Sequence, residues 1–474
     1  MPDADNYTQG TLKEISEAFL DFERDLNLLS REVAGVRFWE RLRFPLHRSL
    51  LNPDETDVTD AGDHGIRMYL SGVSLFLRNV VVKNPFLSGD PELLFYGTGR
   101  RKKTDGEYAD VVIDPILGDL QWRSLCLERP YKISHMRPAA TENLKYTDLI
   151  EYAGTIAETL GIGTVSLTDT ERSMLNHIAD EFGARFGRRP PLPAAVQSDL
   201  SKRRIRLALY KRLLNRLDPK LALLVNSYFG RETFVEACQS SGVPVAELQH
   251  GAITNYHMGY SFPNNDKSVF PDYFFTYGEF WSEEVEFPIP EENVYVVGYP
   301  HMEQTYAQYA DCQTSEQIVV VSQPSVGEDL SQLAATLLER VSLSDHLVYK
   351  LHPKEYDDWR ERYPWLTDSG IEIVSEEPSL HQLFAESTAQ IGVHSTALYE
   401  GLRFDLDTYL FECPGIDHME YLVSNGYAET FSSGEEFSML HGATDLFSER
   451  ANSEHFFASD SVERFSSAVD DIIG

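Results

Sequence analysis

Lysine is scarce in this 474-residue chain. Only 12 of its 41 basic residues are lysines, the other 29 are arginines, and 75 acidic residues leave a net charge of −34. So acidic a chain is expected to have no nucleic-acid partner. A carboxylate-rich, lysine-poor composition suits molar salt, where the Debye length falls to ~3 Å and self-repulsion is screened. A halophilic cytoplasm is therefore expected. Cysteine is also sparse: Cys126, Cys238, Cys312 and Cys413 are widely separated, which signals neither a disulfide framework nor a zinc site. The start, Met1-Pro2-Asp3-Ala4-Asp5, lacks the basic and apolar regions of a signal peptide. No run reaches the ~18 apolar residues of a membrane span.

Several motifs are missing as well. The chain has no P-loop, no Gly-x-Ser-x-Gly elbow and no His-Glu-x-x-His. No Asp-x-Asp pair sits at a strand end as a metal-dependent sugar transferase would place it, so no metal is expected. Gly97-Thr98-Gly99-Arg100-Arg101 follows an apolar run but lacks the third glycine of a dinucleotide fingerprint. Arg100 and Arg101 are read as part of a basic acceptor-side loop.

What is present is an α/β rhythm. The hydrophobic content of 42% and aromatic content of 12% suffice for packed cores, and this length predicts two domains. Helical spacing covers residues 10 to 45, 146 to 160 and 169 to 186. Strands are expected at Leu93–Tyr96 and Ala109–Asp114, then at Ala222–Asn226, Val243–Leu248, Tyr273–Thr276 and Val294–Gly298. A polar, strand-poor stretch after Tyr299-Pro300, reaching to about Glu316, reads as a linker. The second half restarts with a strand at Ile318–Ser322 and a helix over Leu330–Val341. It continues with a strand at Leu347, a helix from Pro353, a strand at Ile371–Val374 and a helix from Ser379. The strand at Ile391, the helix Ala397–Leu402 and the strand Asp407–Phe411 complete it. Alternating strands and helices imply parallel sheets. The expected domains are 1–303, with a helical N-terminal extension, and 316–474.

One segment breaks the charge pattern. Arg185–Lys220 holds eleven basic residues against Asp199 and Asp218, with Ile205, Leu209, Leu213 and Leu217 forming a stripe. It reads either as a core-packing helix with a solvated basic face or as a patch for a phosphorylated or membrane-bound acceptor.

Three histidines end apolar runs: Leu248-Gln249-His250-Gly251, Leu351-His352-Pro353-Lys354 and Val393-His394-Ser395-Thr396. Ligands of open α/β sheets collect at such carboxyl ends. Ser395 and Thr396 open a helix whose free N–H groups and dipole suit a phosphate, with His394 as a further donor; Ser395 as a plain cap is the alternative. Pro353 suits a first helical turn, leaving His352 and Lys354 for a nucleotide phosphate. His250 is a candidate general base, which Glu247, Glu232 or His257 could orient or replace. Gly251 would let a substrate approach the backbone.

These residues carry a resemblance. Ser227-Tyr228-Phe229-Gly230-Arg231-Glu232, Glu247-Leu248-Gln249-His250-Gly251, Pro271-Asp272-Tyr273, Gly278-Glu279-Phe280-Trp281 and Gly298-Tyr299-Pro300 look like a series found in surface-polysaccharide biosynthesis proteins. His352-Pro353 and His394-Ser395-Thr396 resemble motifs of bacterial sialyltransferases and related capsule enzymes. The His-Gly and His-Pro pair is also similar to teichoic acid polyglycerol-phosphate transferases. The resemblance covers about residues 220 to 415. It implies a GT-B fold, two Rossmann-like doubly wound domains facing across a cleft, and a glycosyltransferase acting on a CMP-, CDP- or UDP-linked sugar. The acceptor would be a saccharide or lipid-linked saccharide, met on the side of His250 and Arg231, while His352 and Ser395/Thr396 would contact the donor phosphate. No bound cofactor is implied. Cytoplasmic placement follows, with peripheral contact at the inner membrane face through Arg185–Lys220 and with other glycan-assembly enzymes as partners. Two departures stand out: Lys354 replaces the second histidine of the teichoic enzymes, and the acidic pair before a glycine used by sialyltransferases is absent. The alternatives are a CDP-linked polyol-phosphate transferase, a non-catalytic scaffold of the same fold, and a nucleotide-sugar epimerase.

Overall fold

A computed structural model describes residues 12–51, 63–104, 106–118, 120–262, 267–338, 346–443, 447 and 453–474. Residues 10–11 and 339–341 of the expected helices lie outside this set. The chain forms two compact units. The first comprises Met1–Thr276, Val285–Val297 and Val462–Gly474; the second comprises Tyr277–Glu284 and Gly298–Ser461.

The first unit opens with helices Leu12–Asp25 and Phe38–Leu51, separated by the hairpin β1 (Glu32–Val33) and β2 (Val36–Arg37). A single helix over 10 to 45 was the expectation. Left-handed residues at Asn27, Ala34 and Gly35 break it, because a positive φ cannot continue a right-handed helix. Phe19, Phe22, Trp39, Phe182 and Phe186 knit these helices to Asp169–Phe186. That last helix carries a capping box between Thr168 and Glu171 and stops at Gly187, φ 75°.

The central sheet follows: β3 (Leu93–Gly97), β6 (Ser124–Glu128), β7 (Leu144–Tyr146), β8 (Leu221–Val225), β9 (Val245–Leu248), β10 (Tyr273–Thr276) and β11 (Val294–Val296). A small antiparallel pair, β4 (Lys102–Thr104) and β5 (Glu107–Ala109), lies apart from it. The sheet order is β11-β10-β9-β8-β3-β6-β7, with parallel pairing throughout. Numbered within the sheet, that is the doubly wound order 3-2-1-4-5-6 plus one strand. Both faces are covered: Leu93 and Phe95 enter one core, Leu94 and Tyr96 the other. This is why such strands read as unbroken apolar runs.

The second unit holds β12 (Gln317–Val321), β13 (His346–Lys350), β14 (Glu372–Val374), β15 (Ala389–Gly392), β16 (Asp407–Phe411) and β17 (Glu429–Phe431). Its parallel order, β14-β13-β12-β15-β16-β17, is again 3-2-1-4-5-6. Two doubly wound Rossmann-like domains in one chain are the parts of a GT-B fold, so the expected fold class stands.

Four local expectations are corrected. The expected strand Ala109–Asp114 ends at Ala109, the last residue of β5: beyond it the Asp110 carboxylate accepts the Val112 and Ile113 N–H groups at 3.1 and 3.2 Å. Asp114 accepts that of Asp110 at 2.7 Å, and a short helix Asp114–Leu117 follows. Local side-chain bonds outcompete a ladder there. The expected linker holds the helix Pro300–Tyr309, with proline in its first turn and Met302 buried. Residues 353–358 form turns rather than a helix, and within them the buried Glu355 accepts the His352 N–H at 2.8 Å. Finally, Val462–Gly474 belongs to the first unit: on the helix Ser461–Ile473, Phe465 stacks on Phe95 and meets Phe275 edge-on, at ring separations of 6.3 and 5.7 Å.

Candidate functional site

In a 3-2-1-4-5-6 sheet the ligand crevice opens where the strand order reverses. In the first unit that point lies between β3 and β8. The loop leaving β8 is unusual: Asn226, Phe229 and Gly230 all have positive φ, at 72°, 61° and 88°. Strained backbone of this kind concentrates at functional sites. Seven buried side-chain atoms between Asn226 and His250 have no hydrogen-bond partner among the described residues. They are Asn226 Oδ1, Ser227 Oγ, Arg231 Nε, Glu232 Oε1, Ser241 Oγ, Glu247 Oε2 and His250 Nδ1, although Ser227 still lies close enough to stabilise the Glu247 carboxylate. Buried polar groups are almost always paired, and an exception calls for an explanation.

His250 follows β9 directly. Its Nε2 lies 3.3 Å from the Tyr228 hydroxyl, which also lies 3.1 Å from His257 Nε2. The Gly259 N–H donates to His257 Nδ1 at 3.2 Å, so His257 holds its proton on Nε2 and donates it to Tyr228. Tyr228 in turn donates to His250 Nε2, which places the His250 proton on the unpartnered Nδ1. Burial and the Arg231 charge push His250 down to about 4, and burial with the His250 charge pushes His257 down to about 3. Both rings are neutral at pH 7. His250 is thus better suited to donating a hydrogen bond than to taking a proton.

The two carboxyls sit differently. Glu247, inside β9, is fully buried, and one oxygen accepts the Tyr260 hydroxyl at 2.5 Å. Glu232 opens the helix Glu232–Ser240 and lines a cavity of about 170 Å³; its Oε2 accepts the Gly230 N–H at 2.9 Å. Burial raises both above the usual carboxylate range, most directly opposed at Glu232 by Arg41. Of the two, Glu232 is the carboxyl that a ligand can reach.

The other acceptor-side residues have mixed fates. The Arg231 guanidinium is buried; it donates to the Val225 and Gly97 carbonyls and stacks over Tyr96, fastening β8 to β3. Arg101 is buried too, with Nε on Glu128 at 2.5 Å and Nη1 on Thr141 at 2.6 Å. Arg100 is exposed, and open space faces Gly251. A further cluster escaped the sequence reading. His135 lies between Glu128 (2.6 Å) and Asp148 (3.0 Å), stacked 3.6 Å from the Tyr146 ring. Burial opposes its protonation, yet bonds to Asp148 and Glu128 carry it above the ordinary histidine range. Both ring nitrogens are occupied, so this cluster is structural.

In the second unit the order reverses between β12 and β15. His352, Gln323 and His394 follow β13, β12 and β15, three adjacent strands whose ends are in register. Gln323 Nε2 donates to His394 Nδ1 at 2.7 Å, and the His394 ring lies on His418 at 5.1 Å. Burial lowers His394 below its ordinary range, so the neutral ring keeps its proton on Nε2. The Lys354 N–H donates to His352 Nδ1 at 3.1 Å, and the Lys354 side chain is exposed. Ser395 caps the helix Thr396–Leu402, accepting the Ala397 N–H at 3.3 Å, and Thr396 is exposed.

The basic segment forms the helix Leu192–Leu217 and its flanks. Seven of its eleven basic side chains pair with carboxylates: Arg185, Arg189, Lys202, Arg203, Arg206, Arg216 and Lys220. Leu213, Leu214 and Leu217 enter the core. The core-packing reading therefore accounts for the helix. No helix among the described residues is long and apolar enough to cross a membrane.

The fold and its two switch points define the chain as a two-domain α/β protein of the GT-B type. No protein-family model matches it, and no curated protein does. Solved structures similar to it include the UDP-GlcNAc 2-epimerase of Methanocaldococcus jannaschii, at 10% identity and TM-score 0.45, covering 80% of this chain and 99% of that one. The UDP-GlcNAc 2-epimerase of Neisseria meningitidis bound to UDP-GlcNAc gives 12% and 0.46, covering 80% and 99%. The spinosyn rhamnosyltransferase SpnG gives 12% and 0.39, covering 81% and 95%.

Proposed function

We propose that the chain is a metal-independent glycosyltransferase of surface-glycan biosynthesis, taking its sugar from a CMP-, CDP- or UDP-linked donor. The observation that carries this reading is the set of unpartnered buried groups around Glu232 and His250 at the switch point of the first sheet. The motif resemblance over residues 220 to 415 supports it, as does a second switch point bearing His352 and His394.

In this reading Glu232 takes the proton of an acceptor hydroxyl, and raised basicity suits it to that work. The acceptor oxygen then bonds to the anomeric carbon as the bond to the donor phosphate breaks, and the electron pair leaves on the phosphate oxygen. His250 donates Nδ1–H to an oxygen of the reacting sugars, and within the second unit His352 and His394 are the candidates for holding the nucleotide phosphate. Removing one such donor costs about 3 kcal/mol of transition-state stabilisation.

The test is nucleotide release and product analysis with labelled donors and saccharide acceptors, in molar KCl. A new glycosidic bond, lost by about 100-fold or more in Glu232→Gln, is the expected result. A new phosphodiester, an epimerised donor without acceptor, or no nucleotide release would each overturn the proposal.

A further inference from the structure

The cavity beside Glu232 lies wholly within the first unit, bounded by the β1–β2 hairpin, the helix Phe38–Leu51, the start of the helix Glu232–Ser240 and residues 267–269. At about 170 Å³ it is smaller than the roughly 300 Å³ of the smallest common drug-sized pockets, so it admits one ring rather than a nucleotide. Glu232 is 3% exposed and its Oε1 is unpartnered. Arg41 and Lys267 are the cations whose fields act most strongly on it. Arg41 directs Nε and Nη2 to Asp199 (2.5 and 3.1 Å) and Nη2 also to Thr233 (3.2 Å). Its Nη1 bonds nothing among the described residues. Lys267 Nζ donates to the Gly259 carbonyl at 3.3 Å and lies 4.5 Å from the Phe262 ring centre.

An anion in this cavity would face Glu232, Glu40 and Glu236, and a cation would face Arg41, Arg203 and Lys267. A neutral polyol avoids both conflicts. Each hydroxyl both donates and accepts, so one hydroxyl can give its proton to Glu232 Oε1 and accept from Arg41 or Lys267. Val36 and Val269 add an apolar wall for ring carbons. We infer that this cavity is a binding site for a single pyranose-sized sugar unit, the reacting end of the acceptor. The inference rests on the transferase reading, since it supplies the hydroxyl that Glu232 deprotonates.

Saturation-transfer NMR on the full chain tests it. The probes are methyl α-glucoside, methyl α-galactoside, methyl α-mannoside and the methyl glycoside of N-acetylglucosamine, with inorganic phosphate as competitor. At least one glycoside should bind, be undisturbed by phosphate, and weaken about tenfold in both Glu232→Gln and the cavity-filling Val36→Trp. Binding by no glycoside, binding equal in both variants, or displacement by phosphate would overturn the site. Nucleotide stabilisation of the same samples separates the two ideas. If nucleotide binds and transfer proceeds while glycosides ignore the cavity, the site fails and the transferase stands. If nucleotide does not bind either, both fail.

Discussion

Substituting Arg43 is the sharpest test of how the first unit holds its site. The Arg43 and Glu23 side chains are 0% and 1% exposed. Arg43 reaches Glu23 twice, at 2.8 and 2.7 Å, and the carbonyls of Met258 and Ser261 at 2.8 and 2.6 Å. It thereby ties the N-terminal helices to the loop that carries His257 and Tyr260. Arg43→Met strands a buried carboxylate and two carbonyls, and breaking one side of a buried pair costs about 3–5 kcal/mol. The melting temperature of the first unit should fall by upwards of roughly 6 °C. Because the pair is shielded from solvent, the loss should persist in molar KCl, where exposed pairs are screened. Adding Glu23→Leu removes the stranded charge and should recover about half of the loss. The assay is denaturant and thermal unfolding, followed by near-ultraviolet signals that separate the units. A single variant within about 1 kcal/mol of the parent, or a double variant no better than the single, would refute this account.

Other outcomes follow from the same geometry. His250 and His257, lowered to about 4 and about 3, bind fewer protons when folded than when unfolded. Their contribution to stability should therefore rise with pH between about 4 and 6.5, against the opposite slope of the raised carboxyls of Asp110, Glu232 and Glu247; His257→Phe should shift the net slope downwards, as read from unfolding midpoints across pH. Phe465→Ala should destabilise the first unit by about 3–5 kcal/mol and leave the second unit's transition in place. Proteolysis of the second unit first in this variant would contradict that assignment. The basic helix should not float with anionic vesicles at low salt while the chain stays folded, since most of its charges are already paired.

Much of the fold was legible because parallel strands covered on both faces announce themselves. Leu221–Val225 and Gln317–Val321 are buried at every position, so their runs stand out. The strands β6 and β7 were missed: one ends in the charged Glu128, and the other has three residues at the sheet edge. The run from Ala109 misled because Asp110 and Asp114 bond locally. Nothing local in Ser461–Ile473 says which sheet it covers; only the distant Phe95 and Phe275 decide that. The site divides the same way. His250, His352 and His394 could be placed at strand ends from the runs before them. The hydrogen-bond partners that orient them and His257 are Tyr228, Gly259, Lys354 and Gln323, contacts that strand and helix periodicity does not encode. Arg101 and Arg231 read as ligand-facing arginines, yet both are buried against carboxylate or carbonyl partners.

The most direct test of the transferase account is a thermal-shift series in molar KCl with CMP, CDP, UDP, GDP and their sugar conjugates. A ligand at a hundredfold excess over its Kd stabilises the native state by about 2.7 kcal/mol. The account predicts a rise in melting temperature with one nucleotide class that is lost in His352→Ala and kept in Glu232→Gln. No rise with any nucleotide, or a rise indifferent to His352→Ala, would contradict it.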